Sequence, residues 1–189
     1  GKSVALADLR IGENILDTGV NNSGVFDMTG GTFNASLDEL TVARHNQGAG
    51  SSDGTLTWEA GTVNANSVVI ADTDRSGVGT TTDINTDGII NINGTAVLNV
   101  AGPITSEGGD ATINFNNGIL RFVTLQKNTA TGSFTFNWSA GTIENVAGQN
   151  LSVNNMTLNL LTAGVHTFDV DAGQTATIQP TSTLTGPGA

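Results

Sequence analysis

The chain has 189 residues, which is enough for one domain with a buried core and too few to suggest two. Its formal net charge of −11 argues against nucleic-acid binding, which needs clustered Lys and Arg, and equally against binding to an anionic membrane. Thr and Asn supply about a quarter of the residues, and 25 are Gly. Because Thr favours strands whereas Asn and Gly favour turns, this composition predicts an all-β protein.

The first predicted strand contains an apolar pair spaced by two residues, Leu9 and Ile11, which is followed by Gly12. The same apolar pair recurs along the chain as Leu40 and Val42, as Val68 and Ile70, and as Leu151 and Val153. Alternation with a period of two residues indicates strands that bury one face.

A longer repeat begins at Gly24, because residues 24–36 align with residues 54–66 at an offset of 30. A third copy lies at 133–145, and a degenerate fourth at 167–178 places Phe168 at the position of Phe136. Between the second and third copies the pattern loosens. The repeat predicts a core ladder of stacked side chains formed by Phe26, Met28, Leu56, Trp58, Phe136 and Trp138.

This repeat favours a β-solenoid over a β-sandwich or jelly roll, which is the competing architecture. A unit of about 30 residues cannot bury its own apolar stripe, but stacked units form a continuous core. We therefore predict one β-solenoid domain over residues 1–189, with about six coils and an irregular stretch around residues 72–130.

The clearest copy, residues 54–71 with Gly54, Trp58 and Gly61, resembles the repeats of secreted bacterial β-solenoid surface proteins. Such repeats occur in autotransporter-like passengers and in exoproteins that are sorted by an anchor. The resemblance implies a right-handed parallel β-helix, an extracellular location and a role at the cell surface or in a matrix. No apolar run approaches the ~20 residues that span a bilayer, so we expect no membrane insertion.

One stretch has the spacing of a calcium-binding loop, in which oxygen ligands alternate before a sharp turn. Asp83, Asn85 and Asp87 supply the oxygens, and Gly88 supplies the turn. The twelfth position carries Gly94 instead of a carboxylate, and a corner of a coil explains the pattern equally well. We expect no required cofactor, with bound Ca²⁺ as the alternative.

The best arrangement of titratable residues for catalysis is Arg44 and His45 after one coil, with Asp72, Asp74 and Arg75 after the next. The offset of the repeat places both loops on one corner of the stack. They fit poorly to the base and metal that cleavage of an acidic polysaccharide requires. We therefore predict that this corner is not catalytic and that the protein is not an enzyme. The remaining histidine, His166, is expected to face outward from a strand.

Both ends of the chain read as strands of the repeat, without a polar or helical cap. This pattern has two explanations. The chain is cut from a longer solenoid, or it is a subunit that self-associates head to tail, with Leu9 and Ile11 of one copy meeting Ile178 and Leu184 of the next. The leading hypothesis is an extracellular structural protein, a stacked subunit of a surface fibre, filament or matrix. An adhesin passenger that binds glycans is the first alternative, and an acidic-polysaccharide lyase is the second.

Overall fold

The protein is a parallel β-helix in the computed structural model, which describes residues 7–15, 20–45, 50–73, 86–161 and 165–187. Every pairing between its named strands is parallel. The predicted all-β solenoid fold is therefore confirmed. In the described part of the chain, no helix is long and apolar enough to cross a membrane.

The strands lie in two sheets. The first sheet contains eleven: β1 (Ala7–Asn14), β3 (Ala35–His45), β5 (Thr62–Asp72), β7 (Val97–Val100), β8 (Pro103–Ser106), β10 (Ile119–Phe122), β11 (Thr124–Lys127), β13 (Thr142–Asn145), β14 (Leu151–Asn154), β16 (Thr167–Asp169) and β17 (Ala176–Ile178). The second contains seven: β2 (Asn22–Thr32), β4 (Ser52–Ala60), β6 (Thr86–Ile92), β9 (Asp110–Phe115), β12 (Phe134–Trp138), β15 (Thr157–Leu160) and β18 (Thr183–Thr185).

The first sheet divides into two arms at β5. Residues 62–65 of this long strand pair with β7, and residues 68–70 pair with β8. One arm continues through β10, β13 and β16, and the other continues through β11, β14 and β17. Each later coil therefore contributes three short strands where an early coil contributes two long ones.

The core consists of inward-facing side chains that stack from coil to coil along the second sheet. One ladder contains Phe26, Leu56, Ile90, Ile113, Phe136 and Leu158, and the next contains Met28, Trp58, Ile92, Phe115, Trp138 and Leu160. Of the residues that the sequence assigned to the core, Leu56, Trp58, Phe136 and Trp138 are fully buried, whereas Phe26 and Met28 are partly buried.

Coils differ in length although their strands stay in register. The offset is 30 residues from Phe26 to Leu56 and 34 from Leu56 to Ile90. It falls to 23 from Ile90 to Ile113 and to 22 from Phe136 to Leu158. Residues 86–127, where the sequence pattern loosens, form regular strands in these shorter coils.

The backbone of the second sheet closely approaches the end of the first sheet at Gly54. Ala43 and Ala71 adopt left-handed backbone conformations, with φ of 62° and 55°. Gly54 lies against this edge so closely that an added Cβ would be 2.4 Å from the Ala43 nitrogen and 2.6 Å from the Ile11 oxygen. Since backbone atoms cannot rotate away as a side chain can, this crossing requires Gly at position 54.

Candidate functional site

The last described coil leaves the core partly uncovered at one end of the stack. Phe168, Ile178 and Leu184 stack on Ile143, Val153 and Leu158 of the preceding coil. The three supporting residues are at most 2% exposed, whereas Phe168, Ile178 and Leu184 are 37%, 39% and 42% exposed. We call these three residues the open end. They occupy inward positions of the coil, but no described residue covers them.

Unpaired backbone edges accompany the open end. Within the described residues β16, β17 and β18 each pair with one strand of the preceding coil and with none beyond it. Their outer N–H and C=O groups therefore offer a template for a further parallel strand. Apolar side chains and hydrogen-bonding edges thus lie together at this end.

The opposite end carries the other residues of the predicted assembly interface. Leu9 and Ile11 lie on β1, which pairs only with β3 among the described strands. Ile11 is 5% exposed and Leu9 is partly buried. The adjacent β2 pairs only with β4, again among the described strands, and its Phe26 ring lies 4.9 Å from the Phe33 ring. The four predicted interface residues are therefore divided between the two ends of the stack.

An aromatic cluster lies beneath the open end. Trp138 is fully buried, and the rings of His166 and Phe168 contact it edge-on at centroid distances of 5.0 and 5.1 Å. The His166 Nε2 atom lies 2.9 Å from the Trp138 carbonyl oxygen. The prediction that His166 faces outward from a strand is wrong: it precedes β16 and packs over the indole ring. No sequence pattern signals this contact, because His166 precedes the repeat copy at 167–178 and occupies none of its apolar positions.

A groove of about 320 Å³ runs along the outside of the first sheet, across successive coils. Ala65, Val100 and Val146 are among the apolar residues that line it. Its polar wall is a hydrogen-bonded row in which Arg121 donates to Asn99 at 2.8 Å and Asn99 donates to Asn64 at 2.9 Å. Arg121 also forms an ion pair with Glu144. The row is therefore electrically neutral.

The charged corner predicted from the sequence is held by an ion pair between neighbouring coils. Arg44 and Asp72 occupy paired positions in β3 and β5, and the Arg44 Nε atom lies 3.1 Å from a carboxylate oxygen of Asp72. The adjacent His45 is fully buried. A buried imidazole cannot reach a polymer on the surface, so it is badly placed to act as a general base. Asp74 and Arg75 lie outside the described residues.

Three carboxylates form a column at the N-terminal ends of three neighbouring strands of the second sheet. Asp53, Asp87 and Asp110 occupy paired positions in β4, β6 and β9. Partial burial raises the pKa of Asp87 above its ordinary range, and the charges of Asp110 and Asp53 raise it further. In the described part of the chain, no group of three or more His, Cys, Asp or Glu side chains could hold a metal ion. The other predicted calcium ligands, Asp83 and Asn85, lie outside the described residues.

We expect Asp87→Asn to stabilise the protein at pH 7. Because the pKa of Asp87 is raised by folding, the native state favours its protonated form, and its contribution to stability is lost as the pH rises through that pKa. Asp87 is only partly shielded from solvent, so the gain should stay below about 1 kcal/mol, and it should disappear at about pH 3, where the carboxyl group is largely protonated in both states. Urea unfolding at both pH values measures it.

Asp27→Asn is the control, because folding lowers the pKa of Asp27, whereas it raises the pKa of Asp87. Hydrogen bonds from the side chain and the backbone of Thr29 lower the pKa of Asp27, so its carboxylate favours the folded state at neutral pH. This variant should gain no stability at pH 7. Equal stabilisation by both substitutions would show that the reduced net negative charge stabilises the protein, rather than the relief of repulsion within the column of carboxylates.

The outer face of the second sheet is built mainly from Thr and Asn. From β4 to β18, one outward row reads Thr55, Ile89, Thr112, Thr135, Thr157 and Thr183. A parallel row, two residues further along each strand, reads Thr57, Asn91, Asn114, Asn137, Asn159 and Thr185. We call these two rows the threonine–asparagine face. No role was predicted for them from the sequence.

The fold and these surfaces define a parallel β-helix repeat protein with two distinct ends and two regular side faces. Comparisons of the chain with protein-family models, with curated proteins and with solved structures find no match.

Proposed function

We propose that the protein is an extracellular structural protein, a stacked β-solenoid subunit of a surface fibre, filament or matrix. The observation that carries this proposal is the open end, where the inward ladders finish in partly exposed apolar side chains beside unpaired strand edges. A further coil placed there would continue both the ladders and the hydrogen-bonding pattern.

The first coil of a second copy has the features that such a junction needs. Leu9 and Ile11 repeat the apolar spacing of Leu40 and Val42, with which they pair inside the molecule. A junction between copies can therefore mimic an internal contact between coils. Strand addition of this kind gains main-chain hydrogen bonds, and apolar burial adds about 25 cal/mol per Å². Because neither depends on ion pairs, the contact should resist salt despite the net charge of −11.

We expect Ile178→Lys to prevent assembly of the chain while the inner coils stay folded. The substitution places a charge in the apolar part of the open end, where Ile178 is 39% exposed and stacks on Val153. Sedimentation velocity at micromolar concentration, together with electron microscopy, should show filaments of the unmodified chain and monomers of the variant. Ile11→Pro, which alters the opposite end, should have the same effect.

Val165→Lys is the matched control. Val165 is 83% exposed and precedes β16, so the same charge enters close to the open end but outside its strands. This variant should assemble like the unmodified chain. A stable monomer of the unmodified chain, without filaments in micrographs, would contradict the proposed assembly.

Glycan binding is the second candidate function, and the groove on the first sheet favours it. The row formed by Asn64, Asn99 and Arg121 combines amide and guanidinium groups with an apolar floor. Since the Glu144 carboxylate balances Arg121, the row suits a neutral glycan rather than an acidic one. A monomer that binds neutral glycans on an array would favour this function over the fibre.

A further inference from the structure

The threonine–asparagine face has an unusually uniform chemistry. Eleven of its twelve positions are Thr or Asn, and the remaining position is Ile89. None of the twelve carries a charge, although the protein has a net charge of −11. Carboxylates flank the face: Asp27 of β2 pairs with Thr57, Glu59 follows Thr57 by two residues, and the column of Asp53, Asp87 and Asp110 precedes the first row. A solvent-facing sheet usually carries interspersed charges, so this surface suits an uncharged partner.

The amides of this face are fixed in a continuous hydrogen-bonded row. Asn91 donates to the Thr57 hydroxyl at 2.9 Å, and Asn114 donates to Asn91 at 2.8 Å. Asn137 and Asn159 each donate to the preceding Asn, also at 2.8 Å. Every amide therefore points in a defined direction and retains one N–H for an outside partner. Groups oriented in advance lose little conformational entropy when they bind.

The parallel strands give the face a regular repeat in two directions. Neighbouring strands lie about 4.8 Å apart, and the two rows are separated by two residues of a strand, or about 6.6 Å. The register contains no bulge from β4 to β18. First-shell water bridges neighbouring polar groups, so water held between members of these rows would follow the spacing of the rows.

We propose that the threonine–asparagine face binds ice. Ice is an uncharged solid whose surface repeats at intervals close to those of the two rows, and it presents hydrogen-bond donors and acceptors to an amide or a hydroxyl. A crystalline polysaccharide fits the face less well, because none of the twelve positions carries an aromatic ring that could pack against the apolar faces of sugar rings. The tryptophans of the second sheet, Trp58 and Trp138, point inward and are fully buried. The face lies along the side of the stack, so this inference does not depend on assembly at the ends.

Thr135→Lys tests the proposal at the centre of the face. In a solution of the unmodified chain, a seed ice crystal should not grow over a range of temperatures just below its melting temperature. When ice is grown slowly from the same solution, the protein should be found in the ice. The introduced lysine would project a charged side chain across both rows and prevent close contact of the face with ice. The temperature range without growth and the incorporation of the protein into ice should therefore both be lost. Circular dichroism and thermal unfolding should show that the variant keeps its fold.

Thr142→Lys is the matched control. Thr142 lies in the same coil and also points outward, but it belongs to β13 of the first sheet. This variant should retain the full effect on ice. Unhindered growth of ice in a solution of the unmodified chain would overturn the proposal, and so would an equal loss in both variants. Binding to cellulose or chitin without any effect on ice would instead assign the face to a polysaccharide, and association of copies that Thr135→Lys abolishes would assign it to a second copy.

Discussion

Replacing Trp58 with Ala should lower the free energy of unfolding by about 3–5 kcal/mol, as is typical for large buried aromatic residues. Trp58 is fully buried between Met28 and Ile92 in the ladder of the second sheet. Because strand pairing fixes the distance between coils, the neighbours cannot move together to fill the space. The cavity that remains should make the loss large.

Two further variants separate the effect of the cavity from other causes. Trp58→Phe retains most of the ring volume and removes an indole N–H that has no described hydrogen-bond acceptor, so its cost should stay below about 1.5 kcal/mol. Val25→Ala, at a side chain that is 71% exposed, should change stability very little. Urea unfolding followed by circular dichroism measures all three. If Trp58→Ala unfolds like the unmodified chain and only loses glycan binding, the assignment of Trp58 to the core is wrong.

Gly54→Ala should be at least as damaging, with a cost of about 3 kcal/mol or more, the upper range for overpacking. The added methyl group would overlap the backbone of both Ala43 and Ile11. Relief of this overlap would require the second sheet to move away from the edge of the first, and that movement would disturb three coils. Thermal unfolding and the yield of soluble protein measure the effect.

Gly31→Ala provides the comparison for this glycine. Its added Cβ would meet the end of the flexible Met28 side chain at 3.2 Å, and that side chain can rotate away. We expect a cost well below that of Gly54→Ala. Similar costs would show that the general backbone preference of glycine, rather than the close crossing of the sheets, determines the loss.

The early coils could be predicted well from the sequence because the offsets between them are similar, 31 residues from Leu9 to Leu40 and 30 from Phe26 to Leu56. Phe26 pairs with Leu56, and Leu40 pairs with Val68, as the repeated letters indicate. The fourth copy was aligned incorrectly, because Phe168 stacks on Ile143 in the first sheet rather than on Phe136. The residue that follows Phe136 in the ladder is Leu158, only 22 positions later. A shorter coil is missed by an alignment with a fixed offset of 30 residues, because its equivalent residues lie at a different offset.

The candidate surfaces were harder to predict than the core. An inward ladder requires apolar residues, so its period is visible in one strand. The hydrogen bond from Asn137 to Asn114 depends on which strands become neighbours, and that depends on coil lengths that the composition does not reveal. Thr is common in β-strands in general, so the Thr residues of the outward rows do not by themselves indicate an ordered surface. The open end could be anticipated, since Ile178 and Leu184 continue the alternating pattern to the end of the stack.

One corner of the stack accommodates most of the variation in coil length. Between the first sheet and the next strand of the second, thirteen residues separate Asp72 from Thr86, whereas two separate Asn154 from Thr157. The pairing of the strands is parallel on either side of both connections. Each doubling of the length of a loop costs only about 0.6 kcal/mol of closure entropy, so the length of this connection is nearly neutral for the stability of the fold. Evolution can therefore lengthen or replace this corner without redesigning the interior, and a protein engineer could display a foreign peptide there on a rigid scaffold.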